Sequence, residues 1–173
     1  MKSPADSLRL FYALWPDEEI RNRLAALQSH VNGRKVVPEN LHMTLAFLGQ
    51  QSRELLPTLH QAIDELPFDS MTLEIDRFGY FNKPQVAWAG LSSAPQALLD
   101  LQLGLMEKLM QLQVPLKPGA GFRPHITLAR DATAPAVRDT PRIVWHVRRI
   151  ALIASISKPG GVSYVPLKQG MTG

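Results

Sequence analysis

Along LRLFYAL (8 to 14) the residues alternate in the two-residue rhythm of a strand. Leu8, Leu10, Tyr12 and Leu14 share one face, and Arg9, Phe11 and Ala13 share the other. Pro16 and an acidic run, Asp17 to Glu19, then open a helical stretch to about Val31, closed by Asn32 and Gly33. A strand over about 41 to 48 follows and contains HMTL. The same order returns later in the chain. QVAWAGL (85 to 91) reads as a strand, and Ser93 and Pro95 open a helix with Leu98, Leu101, Leu105, Leu109 and Leu112 on one stripe, before a strand that contains HITL. Between the two units the pattern predicts a shorter helix around 52 to 66, its start limited by Pro57, and a strand near 71 to 78. IVWHVRRIALIASI (143 to 156) and SYVPLK (163 to 168) read as further strands, and GLSSAP and KPGAGFRP read as loops.

A β, α, β order that occurs twice, with His42 and His125 at matching places 83 residues apart, suggests an internal duplication. The expected fold class is α+β: two pseudo-symmetric lobes, each a β-α-β unit with mainly antiparallel sheet, facing a central cleft. The 173 residues are expected to form a single domain, because no low-complexity run marks a boundary.

Composition narrows the chemistry. There is no cysteine, which excludes a thiolate nucleophile, a disulfide framework and a Cys-type zinc site. No run of 18 apolar residues occurs, and MKSPADSLRL lacks a signal-peptide pattern, so a cytoplasmic protein without a membrane span is expected. The net charge of +4 is uneven: residues 117 to 173 hold nine Lys/Arg against two Asp/Glu. A field of that sign raises the local concentration of phosphate-bearing partners, although a solvated basic face without a partner would give the same composition.

The repeated segment is the most specific feature. In a strand, His42 and Thr44 project together, while Met43, Leu45 and Phe47 are expected to turn into the core; His125 and Thr127 stand likewise over Ile126 and Leu128. Chance placement of five histidines gives only about 0.2 His-x-Thr triplets in a chain of this length. Neutral imidazole takes a proton and imidazolium gives one near pH 7, so two of them can flank an in-line displacement. Two hydroxyls can donate to the non-bridging oxygens of a phosphate. This inventory fits phosphodiester chemistry.

RLFYALWP, NLHMTLAFLG, VAWAGL, FRPHITLAR and YVPLK, in this order, resemble the two-histidine phosphoesterase superfamily, and more closely its 2′-5′ RNA ligase-like branch, also described as RNA 2′,3′-cyclic phosphodiesterases. The resemblance implies a two-lobed fold with a central cleft, action without a metal or other cofactor, and opening of an RNA 2′,3′-cyclic phosphate end to a 2′-phosphate. His42 and His125 would be the acid/base pair and Thr44 and Thr127 the phosphate-orienting hydroxyls. With an RNA 5′-hydroxyl in place of water, the same pair would make a 2′-5′ linkage. The implied partner is an RNA with a cyclic phosphate end, such as a tRNA fragment, and a monomer is expected. Two nearly identical motifs leave open which histidine is acid and which is base.

The resemblance also gives Arg130 a phosphate or nucleotide contact. Strict alternation objects, since Arg130 then falls on the face of Ile126 and Leu128 unless the strand ends or bulges. Phe11 matches an aromatic of the family's first strand and would stack on a base. Tyr164 and Lys168 alternate away from Val165 and Leu167, which places Tyr164 in the cleft and adds the charge of Lys168 to it. His30, His60 and His146 read as structural or surface residues, and Trp15, Trp88 and Trp145 as core or rim aromatics. Glu39 and Asp131 receive no role.

Three other readings share part of this pattern. A metal-dependent hydrolase would need a third ligand, and neither motif has a carboxylate at a diagnostic offset. An RNA-end binder would use the same cleft but has no need of a second acid/base group. A phosphodiesterase for a small nucleotide, such as a 2′-5′ oligoadenylate or a cyclic ADP-ribose-type phosphate, would use the same residues.

Overall fold

β1 (Ser7–Leu14) and β3 (Met43–Ser52) pair antiparallel, and β8 (Arg149–Lys158) and β9 (Gly161–Met171) extend the sheet beyond β1. β6 (Ile126–Arg130), β5 (Val86–Gly90), β4 (Met71–Phe81) and β7 (Asp139–Val147) form a second antiparallel run of four. In this computed structural model, which describes residues 6 to 117, 119 and 121 to 171, the strand order is β7-β4-β5-β6-β3-β1-β8-β9. The two halves meet at β3 and β6, where Met43 pairs with Ile126. A two-residue strand, β2 (Arg34–Lys35), pairs with the far end of β6. The two His-x-Thr segments therefore enter the sheet side by side and antiparallel at its centre.

The fold is α+β with a mostly antiparallel sheet, as expected, but the lobes are not the two halves of the chain. The half built on β1 and β3 is completed by the C-terminal β8 and β9, whereas β4 to β7 form the other half without a break in the order of the chain. The long apolar run 143 to 156 is two strands, broken at Arg148. Of the loop 117 to 124, residues 118 and 120 lie outside the described residues, as do residues 1 to 5 of the N-terminal segment.

Three helices provide the apolar cover. In α1 (Glu18–Leu27), capped by the Asp17 carboxylate accepting from the Ile20 N–H at 2.9 Å, Ile20, Leu24 and Leu27 are buried. This helix packs against β7 of the opposite half, so each half contributes to the other's core. Pro57 lies in the first turn of α2 (Leu56–Glu65), where its missing N–H costs nothing, and α2 packs on β8 and β9. The α3 stripe (Gln96–Gln111) buries Leu98, Leu101, Leu105 and Leu109, each worth roughly 1.5–3 kcal/mol. Tyr12 donates from its buried hydroxyl to the Leu59 carbonyl at 2.8 Å, tying β1 to α2.

The main core holds Leu10, Tyr12 and Leu14, whereas Phe11, Ala13 and Trp15 belong to a separate small cluster with Ala151 and Ile153. The alternation read in the first strand thus holds through β1. That second cluster underlies the cleft.

Candidate active site

The cleft, about 220 Å3 in volume, is lined by His42, Thr44, His125, Thr127 and Arg130, with Phe11, Phe47 and Tyr164 among its other walls. Six of these eight residues enter the sheet from β3 and β6 or from the residue just before them. The two histidines sit at the point where the chain joins the sheet, and each is held by its own backbone. His42 Nδ1 donates to the Asn40 carbonyl at 2.7 Å, and His125 Nδ1 donates to the Arg123 carbonyl, also at 2.7 Å. A carbonyl can only accept, so the proton of the neutral ring sits on Nδ1 and Nε2 keeps its lone pair. On His42 that lone pair accepts the Thr44 hydroxyl at 2.8 Å.

Asn40 connects this arrangement to the last strand. It is buried, donates from Nδ2 to the Val162 carbonyl at 2.9 Å, and accepts the Tyr164 N–H on Oδ1 at 3.2 Å. The residue whose carbonyl orients His42 therefore also holds the strand that carries Tyr164.

Aromatic rings fix the imidazole planes. Phe11 stacks on His42 with ring centroids 4.8 Å apart, and Tyr164 stands edge-on to His42 at 5.3 Å. Across the cleft, Phe81 stands edge-on to His125 at 5.0 Å and Trp88 lies 6.1 Å away. Gly79, opposite Trp88 in the β4–β5 ladder, leaves the room a Cβ would take from the indole. Phe11 is only 4% exposed, so its place is beneath His42 and its ring offers little open face to a base.

Burial pushes the His42 imidazole down to about 4, against the Asn40 carbonyl that favours its protonation; the charges on His125 and Arg130 push in the same direction as burial. His125 is also lowered, by burial first and then by Arg130, with the Arg123 carbonyl opposing. Both rings are therefore neutral in the free protein at pH 7. An anion bound between them would raise both and supply the charge balance that a protonated ring needs.

β-bulges decide which other side chains reach the cleft. Opposite β5, β6 slips by one residue at Leu128: Ala87 pairs with Ala129 and Trp88 with Thr127. Leu128 and Ala129 both turn inward and are buried, and Arg130 emerges on the cleft side with Thr127. The conflict between alternation and a cleft position for Arg130 is resolved by this slip. β3 behaves alike opposite β1: Tyr12 pairs with Ala46 and Ala13 with Thr44, so Leu45 and Ala46 are both buried. Phe47, expected in the core, is 72% exposed and lines the cleft. Buried glutamines brace the chain at these slips: Gln28 Nε2 donates to the Leu128 oxygen at 2.9 Å, which also accepts the Val36 N–H at 3.0 Å, and Gln51 Nε2 donates to the Leu48 oxygen at 2.8 Å at a second slip in β3.

A further slip removes Lys168 from the site. β8 pairs Leu152 with Lys168 but Ile153 with Pro166, so Leu167 is the extra residue and Lys168 turns to the helical side. There its ammonium pairs with Asp64 of α2 at 3.1 Å. Tyr164, before the slip, stays in the cleft. Asp131 pairs with Arg34 at 3.3 Å, and His146 lies against Thr72 at the surface, both outside the cleft lining. Phe47, Arg9 and Ser155 line the cleft without having been singled out from the sequence. For Phe47 the signal was present: aligning HMTLAF with HITLAR puts it at the place of Arg130.

Among the described residues, no three His, Cys, Asp or Glu side chains gather as a metal site, and no helix is long and apolar enough to cross a membrane.

The arrangement has known counterparts. A family model described as LigT like Phosphoesterase matches residues 14–88, from the end of β1 through the first His-x-Thr motif into β5. The RNA 2′,3′-cyclic phosphodiesterase of Escherichia coli (strain K12) is 32% identical over 167 residues, which cover 93% of this chain and 94% of that protein. The RNA 2′,3′-cyclic phosphodiesterase of Thermus thermophilus is 36% identical over 179 residues, covering 94% of this chain and 89% of that protein. The crystal structure of E. coli LigT complexed with 3′-AMP matches with a TM-score of 0.85 at 31% identity, covering 96% of this chain and 98% of that one. With relatives at this identity along nearly the whole chain, and with both motifs meeting at one cleft, the chain belongs to the LigT-like phosphoesterase family.

Proposed function

We propose that this protein is an RNA 2′,3′-cyclic phosphodiesterase that opens terminal cyclic phosphates to 2′-phosphates, with His42 and His125 as its acid/base pair. The observation that carries the reading is that two imidazoles, each with Nδ1 held by a backbone carbonyl, line one cleft with Thr44, Thr127 and Arg130. Relatives over the same span are RNA 2′,3′-cyclic phosphodiesterases, which supports the substrate class.

In the proposed reaction the cyclic phosphate sits between the two Nε2 atoms. One histidine takes a proton from water as its oxygen bonds to phosphorus. The P–O3′ bond breaks, and the other histidine gives O3′ its proton, leaving the phosphate on O2′. Thr44, Thr127 and Arg130 meet the non-bridging oxygens, where the charge concentrates. Phe11 and Tyr164 hold the plane of His42 and act through it. Lys168, paired with Asp64 on the other side of the sheet, has no part in this scheme. An RNA 5′-hydroxyl that replaced the water would make a 2′-5′ linkage by the same proton transfers. Hydrolysis prevails unless that hydroxyl is held at high effective molarity.

The test is to incubate the protein, with EDTA present, with a short RNA that ends in a 2′,3′-cyclic phosphate, and to map the product end. A 2′-phosphate is expected. A 3′-phosphate, a dependence on added metal, or no turnover would overturn the proposal.

A further inference from the structure

On its His125 side the catalytic cleft opens into a larger groove of about 860 Å3, and the two spaces share Thr44, Phe47, Gly49 and His125. Sites for small ligands span about 300–1,000 Å3. At about 220 Å3 the cleft falls below that range, with room for a cyclic phosphate and little beyond its ribose. The rest of any polymeric substrate has to leave the cleft, and the groove is the adjoining space of matching size.

The groove has the chemistry to receive it. Lys83, Lys117 and Arg123 line it, and no Asp or Glu does among the described residues. Lys83 and Lys117 are exposed, and the Arg123 guanidinium lies 5.9 Å above the Phe81 ring, which is itself edge-on to His125. Phe47, exposed where the cleft and the groove join, presents an aromatic face that the fold leaves uncovered. Cations without neighbouring carboxylates, combined with open rings, make a surface for single-stranded nucleic acid: the charges track the phosphates, and the rings stack on bases without regard to sequence.

We propose that this groove seats the single-stranded RNA leading up to the reacting end, with Lys83, Lys117 and Arg123 facing its phosphates and Phe47 stacking on a base at the junction. The assignment rests on the cyclic-phosphodiesterase reading and makes the enzyme selective for RNA ends over mononucleotides.

The experiment compares a nucleoside 2′,3′-cyclic phosphate with an RNA trinucleotide carrying the same end, in the wild-type protein and in the Lys83→Ala/Lys117→Ala double variant. In the wild type, KM for the trinucleotide should be lower by at least about tenfold. The double variant should raise that KM about tenfold with kcat held, and leave both constants for the mononucleotide within about twofold. The salt dependence of log kcat/KM for the trinucleotide should become shallower by about 0.7 per lysine removed. Equal KM for the two substrates in the wild type, or an equal loss on both in the variant, would overturn the groove assignment and leave the cyclic-phosphodiesterase reading standing. No turnover of either substrate by the wild type would remove that reading, and the groove assignment with it.

Discussion

Phe47 and Arg130 occupy the same step of two related strands: each stands three residues beyond a motif threonine, and each reaches the cleft because the Leu-Ala pair before it is folded inward. Their difference in chemistry breaks the pseudo-symmetry of the cleft. One rim carries an aromatic face, and the other a guanidinium able to meet phosphate oxygens in a fork.

Arg130→Ala should therefore lower kcat/KM on a cyclic phosphate by about tenfold to a thousandfold, the range for a lost donor to a developing anion. Arg130→Lys should recover only part of this, because a point charge does not reproduce the fork. Steady-state kinetics on both variants check this, and wild-type kinetics in Arg130→Ala would place the guanidinium outside the chemistry.

The histidines and threonines were legible in the sequence because their spacing coincides with the period of a strand. What the sequence concealed lies where that period breaks. Alternation puts Arg130 and Phe47 on the core side and Lys168 in the cleft, and one extra residue in each strand reverses all three. The adjacent apolar pairs Leu45-Ala46 and Leu128-Ala129 mark the first two slips, but such a pair alone does not distinguish a bulge from a fully buried strand. The packing of α1 on the opposite half, and the completion of the first half by β8 and β9, depend on long-range pairing that no local pattern encodes.

Gln28 is 6% exposed and donates to the carbonyls of both Val36 and Leu128. Gln28→Leu keeps the apolar bulk and removes both donors, which should cost about 1–3 kcal/mol in urea denaturation. Because the Leu128 carbonyl belongs to the bulge that presents Arg130, kcat/KM should fall as well, and by less when Arg130 is already alanine. Equal falls in the two backgrounds would separate the bulge from the function of Arg130.

A histidine whose folded pKa lies below its unfolded value binds fewer protons in the folded state. It therefore subtracts stability as pH falls through that window and has no such effect above it. For His42 the window runs from the ordinary value of 6.5 down to about 4. With the solvent-facing edge of the ring allowed for, the loss should be on the order of 2 kcal/mol. Thermal melts of the wild type and of His42→Gln between pH 4 and 7 measure it: the variant should lose less stability on acidification, and parallel curves would refute the burial of His42 as the cause.

Both imidazoles are lowered in the free protein, and kcat/KM reports the free enzyme. The profile should be a bell with both limbs below pH 6.5, the acid limb near 4. Substrate binding raises both groups, so the kcat profile should shift toward neutral pH. A kcat/KM profile flat from pH 5 to 8 would contradict control by a histidine pair.

The most direct test of the two-histidine account is the single-turnover rate of cyclic phosphate opening in the wild type, His42→Ala and His125→Ala, with folding of each variant verified by circular dichroism. Each variant should be slower by at least about a hundredfold, with the double variant little worse than the slower single one, because the two groups act as a unit in one displacement. A rate near that of the wild type in either single variant would contradict the account.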